Sequence, residues 1–283
     1  MVKKVLGIIL LLVISTSLYA KESEATLAFA DYLYKKSEFS RAVTEYYRVI
    51  YSYPFINKGG LVSLKLAMAY ASMKEFGKAE GILNEILEGS LLASVKYATY
   101  IALAKCYYHE KRYSLAIEEA SNAFNEGADG SLAVSAKSLI TWSYLSQNCW
   151  LDAAQFQEEH GATEVMVQNI REGSMLPKKS PRIAGWLSFL LPGAGQVYAG
   201  RWGDGIVSFL INAAFGFAIY DSFRNDNKAA GWVFSVFELG WYSGNIYTGI
   251  GSAHRTNKVR TERYFEFLEE TGLESPNMTY ELP

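Results

Sequence analysis

Ala30-Asp31-Tyr32-Leu33-Tyr34-Lys35-Lys36-Ser37-Glu38-Phe39-Ser40-Arg41-Ala42 is the stretch from which the fold follows, because its pattern returns every 37 residues. Ala42 is succeeded by Ala79, Ala116 and Ala153, and three positions before each stands an aromatic: Phe39, Phe76, Tyr113 and Trp150. Nine positions before stand Leu33, Tyr70, Tyr107 and Tyr144, and twelve before stand Ala30, Ala67, Ala104 and Thr141. Columns held in one register through four copies mark a repeat. Small residues in two columns let a pair of helices approach closely, and the aromatic fills the gap at the turn. Each unit reads as helix, polar turn, helix. The first turn is Lys35-Lys36-Ser37-Glu38; the later ones are Met73-Lys74-Glu75, Glu110-Lys111-Arg112 and Gln147-Asn148-Cys149. One such pair cannot bury its apolar face alone, so neighbours must stack.

These columns resemble the tetratricopeptide repeat over residues 23 to 165. Repeat one carries the pattern through Ala30, Leu33, Phe39, Ala42, Tyr46 and Pro54. The period of 37 exceeds the usual length of about 34, Pro54 has no later counterpart, and Gln157 replaces an aromatic in copy four. The longer period and the Tyr-Ser-Tyr-Pro ending of repeat one are also similar to BamD-like outer-membrane assembly proteins, although the lipid-bearing Cys of that group is missing. The resemblance implies a concave groove lined by the first helices. It places Tyr34, Lys35, Met68, Lys105, Tyr108 and Trp142 there as partner-binding residues, with Asp31 and His109 beside them. An unidentified protein or extended peptide is the implied ligand. The alternative is that Met68 and Trp142 simply pack between repeats.

Outward from the repeats, residues 1–20 read as an export signal. Lys3 and Lys4 precede the apolar run Val5–Ile14, and Leu18-Tyr19-Ala20 suits cleavage. Export would put the repeat domain, residues 21–170, in the periplasm. Residues 21–170 carry 14 Lys/Arg against 18 Asp/Glu, and residues 171–283 carry 11 of each. Neither part has the basic excess that nucleic acid demands, so nucleic acid is not expected as a partner. Cys106 and Cys149 fall on different faces of neighbouring repeats and are expected to be unpaired.

On the other side the composition changes. Residues 171–182, with Pro177, Lys178, Lys179 and Pro181, read as a linker. Residues 183–253 read as a membrane domain, two spans plus a broken or re-entrant helix, and residues 254–283 as a charged helix and polar tail. Pro192, Gly193, Gly195, Gln196 and Tyr198 form a P-G-x-G-Q-x-Y-x-G run that resembles the entry of a small bacterial membrane-hairpin domain of unknown function. Asn245-Ile246-Tyr247 and Ser252–Asn257 fit that resemblance too. Gly240, Gly244, Thr248 and Ser252 recur every four residues, as in stripes that let membrane helices pack closely. Counting 183–200 as a crossing would place Arg255, Lys258, Arg260 and Arg263 on the cytoplasmic side, so three crossings or a deep re-entrant first segment is expected. Glu238 is the one ionisable residue inside the long apolar stretch 229–253. It is expected to hydrogen-bond Asn212, Gln196 or Asn245, or to meet water.

The sequence therefore predicts an all-α chain: four helix-turn-helix repeats stacked as an α-solenoid, then a C-terminal transmembrane helical hairpin domain. No metalloprotease, P-loop, nucleophile-elbow or dinucleotide motif occurs, and Cys106 with His109 offers too few ligands for zinc. No catalytic, metal or cofactor residue is assigned. A membrane-anchored protein-binding scaffold in envelope assembly or secretion is the expected function. The competing reading is a small transporter or channel component using Glu238 and the break at Pro192–Gln196.

Overall fold

The computed structural model describes residues 2–57, 59–89, 92–280 and 282, leaving aside the side chains of residues 2–18. The side chains of the expected signal through Leu18 lie outside the described residues; Tyr19, in the expected cleavage site, packs its ring on Tyr53 at 4.9 Å between centroids. The backbone from Val2 is helical and continuous with the first helix of repeat one. No strand occurs among the described residues, and the chain divides into two compact units. Unit 1 takes residues 1–167 together with 273–283; unit 2 takes residues 168–272.

Unit 1 is a run of helix pairs: α1 (Val2–Lys35) with α2 (Phe39–Ser52), α3 (Leu61–Ser72) with α4 (Phe76–Leu87), α5 (Ala93–His109) with α6 (Tyr113–Asn125), and α7 (Gly130–Ser146) with α8 (Trp150–Glu159). Successive helices pack on one another, and α5 also touches both α3 and α7, so the first helices share a face. The second helix of every pair begins at the aromatic column. Ala42, Ala79, Ala116 and Ala153, with Ala30, Ala67, Ala104 and Thr141, are all fully buried, as close approach of paired helices requires.

The turns repeat atom for atom in kind. Ser37, Lys74, Lys111 and Asn148, spaced by 37, all have φ near +60°. The next residue's N–H returns to the carbonyl of Leu33, Tyr70, Tyr107 or Tyr144 at 2.8–3.0 Å. This left-handed closure satisfies carbonyls left open at the helix end. Copy four departs from the pattern twice, and the departures answer each other: the buried Gln157 Nε2 donates to Thr141 Oγ1 at 2.7 Å.

Helix α9 (Glu164–Gly173) carries the chain from unit 1 into unit 2, which holds α10 (Pro181–Leu190), α11 (Ala194–Tyr198), α12 (Trp202–Arg224) and α13 (Lys228–Glu270). Ser180 caps α10 ahead of Pro181, and Asn227 caps α13. Trp202–Arg224 is the one described helix long and apolar enough to cross a membrane. Its 23 residues span about 35 Å at 1.5 Å per residue, against an apolar thickness of about 30 Å.

The stretch 183–200, expected as a broken or re-entrant helix, does break at Leu191–Gly193, into helices of 10 and 5 residues. One expectation is corrected here. The second expected span lies inside the 43-residue α13, whose Gly, Ser, Asn, Trp and Tyr residues dilute its apolar character, so a pair of spans is not evident from composition. The charged run after His254 continues that same helix to Glu270. The tail beyond Gly272 folds with the repeats, not with the residues before it.

Candidate functional site

The face made by α1, α3, α5 and α7 is where the expected binding residues fall, and it carries an extended segment of the chain itself. Residues 273–280 are non-helical and run from α7 toward α1. Ser138 Oγ and Trp142 Nε1, on α7, both donate to the Glu274 carbonyl at 2.8 Å. Lys105 Nζ, on α5, donates to the Thr279 carbonyl at 2.7 Å. Tyr34 OH, on α1, donates to the Tyr280 carbonyl and shares a 3.0 Å hydrogen bond with Ser72. Each of the four bonds to the segment ends on a main-chain oxygen.

Side chains of the segment alternate, as they must in extended backbone. Tyr280 is buried, Met278 and Leu282 pack against the repeat core, and Pro276 is half covered. Ser275, Asn277 and Thr279 are exposed. Asn277 Oδ1 accepts from Thr279 N at 2.9 Å and from its hydroxyl at 2.6 Å, which fixes the bend before Tyr280. The Tyr280 ring lies 5.7 Å from Lys105 Nζ and stacks on His109 at 6.4 Å between centroids. Its hydroxyl meets Cys106 Sγ at 3.5 Å.

Electrostatics follow from this covering. Burial holds the His109 imidazole below its ordinary value, against a hydrogen bond to the Met278 backbone that works the other way; Lys74 and Lys105 add to the lowering. The neutral ring is therefore favoured. Burial pushes the Cys106 thiol up to about 11, so it is no nucleophile at neutral pH. Both cysteines are free. Cys106 and His109 do share a face, but they share it with Tyr280. Among the described residues no three His, Cys, Asp or Glu side chains are grouped to hold a metal ion.

Of the expected groove residues, Tyr34, Lys105 and Trp142 hold the segment directly. Met68 and Lys35 line the cavities on either side of Tyr280. Tyr108 shares a 3.3 Å hydrogen bond with Ser146. Asp31 belongs to the core instead: Lys65 Nζ donates to it at 2.7 Å and Tyr46 OH at 2.8 Å. The sequence reading missed Ser138 and the segment itself. The available signal was the alternation of Pro276, Met278, Tyr280 and Leu282 with polar residues.

In unit 2 the glycine-rich run is a knot of main-chain contacts. Gly193 (φ +89°) stands where an added Cβ would lie 2.1 Å from the Gly205 carbonyl oxygen. At Gly195 it would lie 2.1 Å from the Ala184 oxygen and 2.3 Å from Ser188 Oγ. Gln196 is buried and donates to Asn245 Oδ1 at 2.9 Å and Thr248 Oγ1 at 2.8 Å, while Ser188 Oγ donates to its oxygen at 3.2 Å. Asn245 Oδ1 also accepts from Gly193 N at 3.2 Å. The Tyr198 hydroxyl accepts from Ser180 N at 3.2 Å, and Asn257 bonds both N and O of Lys179, at 2.7 and 2.8 Å. Polar groups freed by the break at Pro192 are thus satisfied inside the unit.

The expected small-residue stripe packs at one end only: Ser252 is buried and Thr248 accepts from Gln196, whereas nothing lies within 4 Å of a Cβ added at Gly240 or Gly244. Among the α13 glycines, close approach occurs at Gly249, against Ser188, and at Gly231, against the Phe223 ring. Glu238 does not join Asn212, Gln196 or Asn245 either; its Oε2 is buried with no hydrogen-bond partner among the described residues.

No family model matches the chain. A stretch of 62 residues is 39% identical to an uncharacterized protein of Methanocaldococcus jannaschii, which covers 21% of this chain and 63% of that protein. The match thus spans less than two thirds of the relative's length, and the relative's name assigns it no activity.

Proposed function

We propose that the chain is a membrane-anchored, non-enzymatic scaffold whose tetratricopeptide-like repeats recruit a protein partner through an extended peptide. One observation carries this reading: donors from α1, α5 and α7 converge on main-chain carbonyls of an extended segment on the face that the repeat pattern singles out. Directing donors to the backbone gives affinity with little demand on sequence, and an aromatic anchor supplies selectivity. Anchoring is supported by Trp202–Arg224 and by the exposed Phe209, Leu210, Phe217, Val236, Phe237 and Leu239 of the α12–α13 hairpin, an apolar surface that suits lipid. In this reading the hairpin spans the membrane, with the repeats on the periplasmic side in envelope assembly or secretion. Transport along Glu238 has less support, because the polar groups beside Pro192 are used in holding the helices together.

Photocrosslinking in cells tests the proposal. A photoreactive residue at Lys35 is expected to give a discrete protein adduct in the membrane fraction, suppressed when excess peptide of residues 273–283 is added to permeabilised cells. The same probe at Leu151, an exposed position on α8, should give none. Equal adducts from both positions, insensitive to the peptide, would refute groove recruitment.

A further inference from the structure

Residues 273–280 and 282 occupy the groove without filling it. Beside Tyr280 remains a cavity of ≈600 Å³ bordered by Tyr34, Phe76, His109 and Met278. A second, of ≈380 Å³, lies against Met68, Ala98 and Lys105. Unfilled apolar space forgoes dispersion contacts that a better-fitting ligand would make. Of the segment's residues, Leu273 is buried at its start, those at 276, 278, 280 and 282 reach outward from it through alternate side chains, and Tyr280 is buried in the core of the first helices. Everything else that holds it is main chain, which any extended polypeptide supplies.

Resting on the peptide-groove reading above, we propose that residues 273–282 are the groove's resident and displaceable ligand. The partner they make way for is an extended segment with apolar residues at alternate positions and a tyrosine seated where Tyr280 sits. The Tyr280 site favours that side chain for stated reasons: Lys105 stands over the ring face, His109 stacks on it, and the buried hydroxyl finds Cys106 Sγ. Tethering gives the resident segment an effective concentration on the order of millimolar. A free peptide therefore competes at a disadvantage that disappears when the resident anchor is removed.

The test uses the full chain in detergent and a fluorescent peptide of residues 273–283, read by anisotropy. Tyr280→Ala in the chain is expected to tighten peptide binding at least about tenfold over the unaltered chain. The same peptide carrying Tyr280→Ala should bind at least about tenfold more weakly. If both peptides bind the Y280A chain alike, the tyrosine anchor is refuted while groove recruitment stands. If neither binds a Y280A chain of unchanged helicity, both ideas fall. Should Y280A fold poorly, Met278→Asp loosens the same segment and the same tenfold gain is required of it. A detergent-corrected mass that is dimeric for the unaltered chain and monomeric for Y280A would overturn residence in cis, because the segment would then belong to a second copy.

Discussion

Gly195→Ala destabilises unit 2 by at least about 3 kcal/mol, enough to abolish a monodisperse preparation in detergent. The added methyl would sit 2.1 Å from the Ala184 oxygen and 2.3 Å from Ser188 Oγ, both on α10. A backbone oxygen cannot move aside as a flexible side chain can. Separating α10 from α11 also pulls Ser188 away from Gly195 N, which it accepts from at 3.2 Å, and from the Gln196 oxygen. The buried amide of Gln196 would then lose part of the network joining it to Asn245 and Thr248. Gly240→Ala and Gly244→Ala are the controls. Nothing lies within 4 Å of either added methyl, so both should be neutral or stabilising by up to about 1 kcal/mol through helix preference. Size-exclusion profiles and thermal midpoints of the three variants in one detergent check the contrast; similar behaviour of all three would show that the glycine run does not hold α10 to α11.

Asp31→Ala is the second large effect, a loss of about 3–5 kcal/mol in the repeat unit. Its carboxylate pairs with Lys65, whose side chain is only 7% exposed, and accepts from the hydroxyl of the fully buried Tyr46. Deleting it leaves an ammonium and a phenol with no acceptor at that spot, and an unpaired buried charge costs far more than the pair contributes. Adding Lys65→Met to Asp31→Ala should recover more than half of the loss, because the charge that had no partner is gone. The helical melting transition of the full chain measures both variants. Equal destabilisation in the single and double variants would mean that volume at position 31, and not charge, sets the cost.

The pairing of helices in the repeat was legible because its chemistry is local. A small residue at position 30 or 42 and an aromatic that starts the second helix are each dictated by a few neighbours, and the chain states them four times; the left-handed turn residue, Ser37, Lys74, Lys111 or Asn148, forms no such column. Even the two departures in copy four are explicable, since Thr141 and Gln157 bond each other. Groove residues were legible in part. Tyr34, Lys105 and Trp142 follow from the register of a first helix, whereas Asp31 shares that register yet turns to Lys65, a choice that depends on a residue 34 positions away.

Unit 2 was less readable because it is written once. A period of four on α13 pointed to Gly240 and Gly244, but the packed positions were decided by how α10 and α11 fold back, which puts Gly249 against Ser188. Composition also cannot tell a polar tail from a bound strand. Pro276, Met278, Tyr280 and Leu282 alternate over too few residues to stand out from a loop, and their partners lie more than a hundred residues earlier.

Placement of that segment on the first helices is the claim on which the rest depends, and a photoreactive diazirine side chain at position 278 measures it. After irradiation of the detergent-solubilised chain, peptide mapping should find intramolecular adducts on α1, α5 or α7. Adducts confined to α12 and α13, or to detergent with no intrachain product, would contradict it.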